Sequence, residues 1–160
     1  MSVPPFSRFL EEHRTLIYRY LVATVGAQDA EDCFQETFLA ALRAYAGVRD
    51  EGDGLRAWIL TIASRKAIDH ARARARRPVP VEEVPDGAAV VSDDGVDAAL
   101  WAAVRELPPM QRDAVVHRYV LDLPYADVAR ALGVSEEAAR ASAYEGRKKL
   151  RTRVREEALT

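Results

Sequence analysis

The sequence predicts an all-α protein: two small helical domains joined by a flexible acidic linker, the second ending in a helix-turn-helix. Three observations carry this expectation. Apolar residues recur at helical spacing on both sides of the chain's middle. Residues 78–96 lose that periodicity and hold three prolines, two glycines and five acids without one basic residue. Finally, Leu121-Asp-Leu-Pro-Tyr-Ala-Asp-Val-Ala-Arg-Ala-Leu-Gly-Val-Ser135 reads as helix, tight turn, helix.

Taken in order, Phe9, Leu10, His13, Leu16, Ile17, Tyr20 and Leu21 mark a first helix that Gly26 ends. A second starts near Asp29, with Cys33, Phe34, Thr37, Phe38, Ala41, Leu42 and Tyr45 as its apolar face and Asp32, Gln35 and Glu36 off it. Gly47–Gly54, with three glycines and three acids, is a loop. The third helix opens at Leu55, faces the core with Trp58, Ile59, Ile62 and Ala63, and runs to Arg77, where Pro78 stops it. These elements make a first domain over 1–77. A second domain, 97–160, follows the linker.

In that second domain, Ala99, Leu100, Ala103, Val104 and Leu107 form one helix. Pro108-Pro109 restarts the chain, Pro109 suiting a first helical position, and Met110, Ala114, Val115, Tyr119 and Val120 continue the new helix. Val128, Ala129 and Leu132 give the next short helix its apolar face, and Gly133 sits where the chain reverses. Ser135 is a good N-cap, and Glu136 and Glu137 suit the positive end of the dipole. Such a second helix is the type that lies in a DNA major groove; the alternative is an ordinary helical hairpin.

The net charge is −2, from 23 Lys and Arg against 25 Asp and Glu. Non-specific DNA affinity grows with the phosphates neutralised, so this chain would need a partner to hold DNA well. The start has no basic segment followed by an apolar run, and no apolar stretch reaches membrane-spanning length, so cytoplasm is the expected compartment. The one cysteine, Cys33, excludes an internal disulfide and any cysteine-rich zinc site; a buried, inert thiol is expected. His13, His70 and His117 are scattered, and neither a phosphate loop nor a nucleophile motif is present. Neither a metal, nor a cofactor, nor enzymatic activity is expected.

Two clusters point to binding. Arg72, Arg74, Arg76 and Arg77 fall within six residues at the end of the third helix, more than its C-terminal dipole needs, which favours nucleic-acid contact. Upstream, Trp58, Arg65 and Lys66 on the same helix suit unpaired bases and their backbone, although Trp58 taken alone reads as core. Asp32, Gln35 and Glu36 are either a solvated face or a docking surface for a basic partner.

Asp29-Ala-Glu-Asp-Cys-Phe-Gln-Glu-Thr-Phe-Leu-Ala-Ala-Leu42, Leu55-Arg-Ala-Trp-Ile-Leu-Thr-Ile-Ala63 and Ala67-Ile-Asp-His70 closely resemble the first domain of the extracytoplasmic-function (ECF) sigma factors of bacterial RNA polymerase. Leu107-Pro-Pro-Met-Gln-Arg112, Arg118-Tyr-Val120, Leu123-Pro-Tyr-Ala-Asp-Val-Ala129 and Leu132-Gly-Val-Ser135 resemble the second. The resemblance implies that the face of Asp32, Gln35 and Glu36 docks on the clamp helices of the largest polymerase subunit. It implies minus-ten contacts by Trp58, Arg65, Lys66, Arg72, Arg74 and Arg76. It also implies minus-thirty-five contacts by Ser135, Arg140, Ser142, Tyr144, Arg147, Lys148 and Arg151, a hold on the flap of the second-largest subunit, and control by an anti-sigma protein.

The chain departs from the family pattern twice. Ser64-Arg65-Lys66 stands where many members have Arg-Asn, so a base contact by Asn is missing. Ala138-Ala-Arg-Ala-Ser142 replaces the common Thr-Val-Lys-Ser-Arg, and Gly146 interrupts the recognition helix at a cost of roughly 1 kcal/mol unless another backbone comes close. A free-standing helix-turn-helix regulator and a protein-interaction module that lost promoter reading are the rival expectations.

Overall fold

The computed structural model describes residues 3–49, 53–76 and 98–158, and these are all helix and turn. Helix α1 (Phe6–Val25) reverses at Gly26 into α2 (Ala27–Ala44), two residues ahead of the expected start. A short 3-10 turn (Tyr45–Gly47) leads towards α3 (Asp53–Arg76), which likewise begins two residues early. Then come α4 (Ala98–Glu106) and α5 (Pro109–Val115), with Pro109 as its first residue, continuing into a π turn (Val116–Val120). Helices α6 (Tyr125–Leu132) and α7 (Glu136–Ala158) complete the chain. The expected linker, 78–96, lies outside the described residues.

The first helical cluster is α1–α3. Phe9, Ile17, Tyr20 and Leu21 of α1 are fully buried against Ala30, Cys33 and Ala41 of α2 and Ile59, Leu60 and Ala63 of α3. One end is aromatic: the Phe9 ring lies 5.1 Å from Tyr45 and 5.8 Å from Trp58. Leu42 was expected in this core but is 53% exposed. The buried stripe of α2 steps through Ala30, Cys33, Thr37, Phe38 and Ala41, and the next residue is turned about 100° away from it. Thr37 satisfies its hydroxyl within the helix, donating to the Cys33 carbonyl at 2.6 Å.

In the second cluster, α6 ends at Gly133 in the left-handed conformation (φ 68°, ψ 34°), which a residue without Cβ adopts at no steric cost. Val134 N–H then donates to the Ala129 carbonyl. Ser135 Oγ accepts from Ala138 N–H at 3.1 Å and so caps α7. The inner face of α7 is Ala139, Ala143, Gly146 and Leu150, spaced by four, three and four. Its small residues let α7 close on α5: a Cβ at Gly146 would lie 2.7 Å from Val115 Cγ2 and 3.1 Å from the Gln111 carbonyl oxygen. The close backbone approach that would justify this glycine is present.

The two clusters are in contact, a departure from two bodies held only by a tether. Val104, Val116, Leu121, Leu123, Val128 and Ala131 share one continuous apolar core with Phe9, Tyr20 and Leu60. Between α1, α3 and α5 sits the carboxylate of Asp113, 3% exposed. It accepts from Tyr20 Oη and from Ser64 Oγ, each at 2.6 Å. Arg56 on α3 pairs with Asp127 on α6 at 2.5 Å, Thr61 Oγ1 donates to the Ala131 carbonyl at 2.9 Å, and Arg19 donates to the Val120 carbonyl at 2.9 Å.

Candidate functional site

Three surfaces gather the residues singled out by the sequence. On α2, Asp32, Gln35 and Glu36 are exposed and make no hydrogen bond or ion pair among the described residues. Helical spacing extends their face through Leu39 and Leu42, 52% and 53% exposed. The surface is thus an acid and amide cluster beside two unpartnered leucines, suited to a helix that is basic and apolar by turns. Leu42 was read as core because it lies beside the core stripe, and Leu39 was not singled out; Leu39, three residues from both Glu36 and Leu42, carries the pattern that assigns them outward.

Beneath this face lies Cys33. Burial, then the charges of Glu36, Asp29 and Asp32, push its thiol up to about 11, so it stays protonated and inert at neutral pH. Asp29, at the start of the same helix, turns to α3: its Oδ2 lies 2.7 Å from Arg74 Nη1 and 3.2 Å from His70 Nε2. Asp29 thereby clips the far end of α3 to the N-terminus of α2.

That clip divides the arginines of α3. Arg74 pairs with Asp29 at 2.7 Å while its side chain stays 45% exposed. Arg65, Arg72 and Arg76 are exposed, and Lys66 is half-buried; none of them has an acidic partner among the described residues. Trp58 is half-buried in the aromatic end of the core, the packing reading of that residue. Ser64, one residue before Arg65, faces inward and belongs to the Asp113 contact.

On α7 the outward stripe is Arg140, Tyr144, Arg147, Lys148 and Arg151, opposite the small inner face. Tyr144 is 65% exposed, an aromatic ring set among cations. Ser142 is half-buried, and Ser135 is committed to capping. The Arg140 guanidinium sits 5.1 Å from the Tyr125 ring, which Arg118 also approaches at 5.2 Å. Arg147 lies 5.5 Å from the Tyr119 ring. Stacking on a ring fixes a guanidinium without neutralising it; Arg118 is also paired with Asp122 at 3.7 Å, and Arg147 Nη1 donates to Tyr119 Oη at 3.4 Å. Sequence reasoning missed Arg118, Tyr119 and Tyr125, because cations and rings from three separate segments meet only in the fold.

An all-α chain whose capped helix-turn-helix carries an unneutralised cationic face belongs to the architecture of DNA readers. Residues 9–77 match the family model described as Sigma-70 region 2, and residues 97–150 that described as Sigma-70, region 4. The chain is 35% identical over 148 residues to the ECF RNA polymerase sigma factor BldN of Streptomyces coelicolor, an alignment covering 87% of this chain and 56% of BldN. It is 34% identical over 131 residues to the RNA polymerase sigma factor CarQ of Myxococcus xanthus, covering 76% of this chain and 72% of CarQ. The chain belongs to the ECF sigma factors of the sigma-70 family.

Among solved structures, the sigma factor RpoE of Bartonella quintana, crystallised with the anti-sigma factor NepR, shares the fold with a TM-score of 0.73 at 18% identity. That alignment covers 94% of this chain and 96% of the RpoE chain. The chain spans little more than half the length of several curated relatives it matches, 56% of BldN and 54% of the probable sigma factor SigI of Mycobacterium tuberculosis. Among the described residues, no helix is long and apolar enough to cross a membrane.

Proposed function

We propose that this chain is a promoter-specificity subunit: it binds bacterial core RNA polymerase, reads the minus-ten and minus-thirty-five elements and helps to open the duplex. The observation that carries the reading is the pairing, in one chain, of an unpartnered acid, amide and leucine face on α2 with two separate unneutralised cationic faces on α3 and α7. A free-standing repressor has use for one DNA face and none for the α2 surface.

In this reading residues 1–77 form the core-binding and minus-ten domain and 97–160 the minus-thirty-five domain, with 78–96 between them. Asp32, Gln35 and Glu36 meet the clamp helices, joined by Leu39 and Leu42. Arg65, Lys66, Arg72, Arg74 and Arg76 hold the minus-ten strand, with Trp58 on the same helix. Arg140 reads base edges, with Tyr144 and Ser142 beside it, while Arg147, Lys148 and Arg151 hold phosphates. The protein works in the cytoplasm, where it is open to control by an anti-sigma factor.

The test is transcription in vitro with purified core polymerase on promoters selected from a randomised library. Asp32→Lys with Glu36→Lys should weaken core binding by about 2–5 kcal/mol if those pairs are desolvated. A folded double variant that binds core like the wild type would overturn the assignment of the α2 face. Sequence-specific DNA binding with no dependence on core would point to the free-standing regulator instead.

A further inference from the structure

From Ala138 to Ala143 the recognition helix carries one long side chain, Arg140. Among the described residues Arg140 makes no hydrogen bond and no ion pair. What fixes its guanidinium is a ring from outside its own helix, Tyr125, whose centre lies 5.1 Å away. That ring is itself well anchored. Tyr125 is the first residue of α6, half-buried and packed on the apolar core. Arg118 approaches the same ring at 5.2 Å and is tied to the turn ahead of α6 by the Leu123 carbonyl, at 3.4 Å, and by Asp122, at 3.7 Å. Resting on the promoter-subunit reading, we infer that Tyr125 is a positioning residue for promoter recognition: its ring, not its hydroxyl, aims Arg140, so the base preference of α7 is set in part by the first residue of α6.

The physical reason lies in what a base contact demands of an arginine. A long side chain on an exposed helix face samples many rotamers, and freezing them on binding costs free energy. A ring that stacks the guanidinium beforehand removes part of that cost. It also fixes the plane of the fork. The contact that singles out guanine uses two N–H donors aimed together at O6 and N7, so a tilted fork loses one bond or tolerates another base. No second long donor between Ala138 and Ala143 corrects a misaimed Arg140. The same device recurs further along α7, where Arg147 lies 5.5 Å from the Tyr119 ring and donates to the Tyr119 hydroxyl at 3.4 Å. There it serves a phosphate contact, which carries no sequence information. Tyr125 should therefore act on base preference, and Tyr119 on affinity alone.

The test measures initiation by the full chain with core polymerase on promoters carrying each of the four bases at the position Arg140 reads. Tyr125→Phe keeps the ring and should keep the preference. Tyr125→Leu keeps an apolar side chain for the core but loses the ring, and should reduce discrimination at that position by roughly two- to five-fold, the factor that a cation–ring contact at an exposed site represents. In an Arg140→Ala background, Tyr125→Leu should change the preference no further. Tyr119→Leu should weaken all promoters alike. Nitrogen-15 relaxation at Arg140 Nε in the free chain supplies a readout without DNA: the group should be rigid with Tyr or Phe at position 125 and mobile in Tyr125→Leu. Circular dichroism checks that each variant folds. Wild-type discrimination in Tyr125→Leu overturns the proposal, as does a Tyr125→Phe protein that loses as much as Tyr125→Leu, since the hydroxyl would then be the acting group. A further change in the Arg140→Ala background overturns it too, because the ring would be acting on something else. If Arg140 is rigid only with a ring present but not even the wild type initiates with core, the stacking stands and the promoter-subunit reading falls.

Discussion

Replacing Gly146 by alanine sets two calculable effects against each other. In an isolated helix the change is favourable by about 1 kcal/mol, since alanine loses less backbone entropy than glycine. Here the new Cβ would lie 2.7 Å from Val115 Cγ2, 3.1 Å from the Gln111 carbonyl oxygen and 3.3 Å from Gln111 Cβ. Carbon contacts are attractive at roughly 3.5–4.0 Å, so the first of these is strongly repulsive. Val115 is itself buried at 5% exposure, and the Gln111 oxygen is backbone, so neither can swing aside. Helix α7 must back away from α5, and overpacking of this kind costs about 1–3 kcal/mol. The net expectation is a loss of up to about 2 kcal/mol, centred near 1 kcal/mol, which is roughly 2–4 °C in Tm for a chain of this size. Urea denaturation followed by circular dichroism measures it, with Thr152→Ala on the exposed side of α7 as a control expected within about 0.5 kcal/mol. A Gly146→Ala protein more stable than the wild type by the full isolated-helix gain of about 1 kcal/mol would refute the argument from close approach.

Three further outcomes follow from the same geometry. His117 is fully buried, its Nδ1 2.7 Å from the Asp113 carbonyl oxygen and its Nε2 without a partner among the described residues. Burial lowers its pKa in the fold, so its contribution is complete above the unfolded value near 6.5 and is lost as pH falls from there towards the folded value; Tm should therefore drop between pH 7.5 and pH 5.5, by less in His117→Leu. Cys33 should resist thiol reagents in the native protein at pH 8 and react on unfolding, whereas rapid native labelling would show the site to be open. Asp29→Ala should release Arg74 and His70 and cost roughly 0.5–1 kcal/mol, less in high salt, because the Arg74 side chain is 45% exposed.

Most of the helices were legible because each has a signal that acts within a few residues. Proline at the first position of α5, Gly133 in the left-handed turn and Ser135 at the cap of α7 all stand where the sequence predicts them. The boundaries of α2 and α3 were two residues off because acidic and glycine-rich starts look like loop until packing draws them into the helix. The π turn at Val116–Val120 left no such signal. The contacts that matter most are the least local: Tyr20, Ser64 and Asp113 are separated by 93 and 49 residues along the chain. Each is an ordinary helix residue in its own window. Only the packing of α1 and α3 on α5 reveals that they form one buried group. Arg74 illustrates the same point, since its membership of an arginine run said nothing about Asp29, 45 residues away.

With a net charge of −2 the chain gains little from counterion release on random DNA, so on the proposed reading its cations act only where a partner holds them against the duplex. Core polymerase docked on α2 would supply the local concentration that the chain's charge does not. Strengthening the cationic faces alone should therefore raise indiscriminate DNA binding without raising initiation.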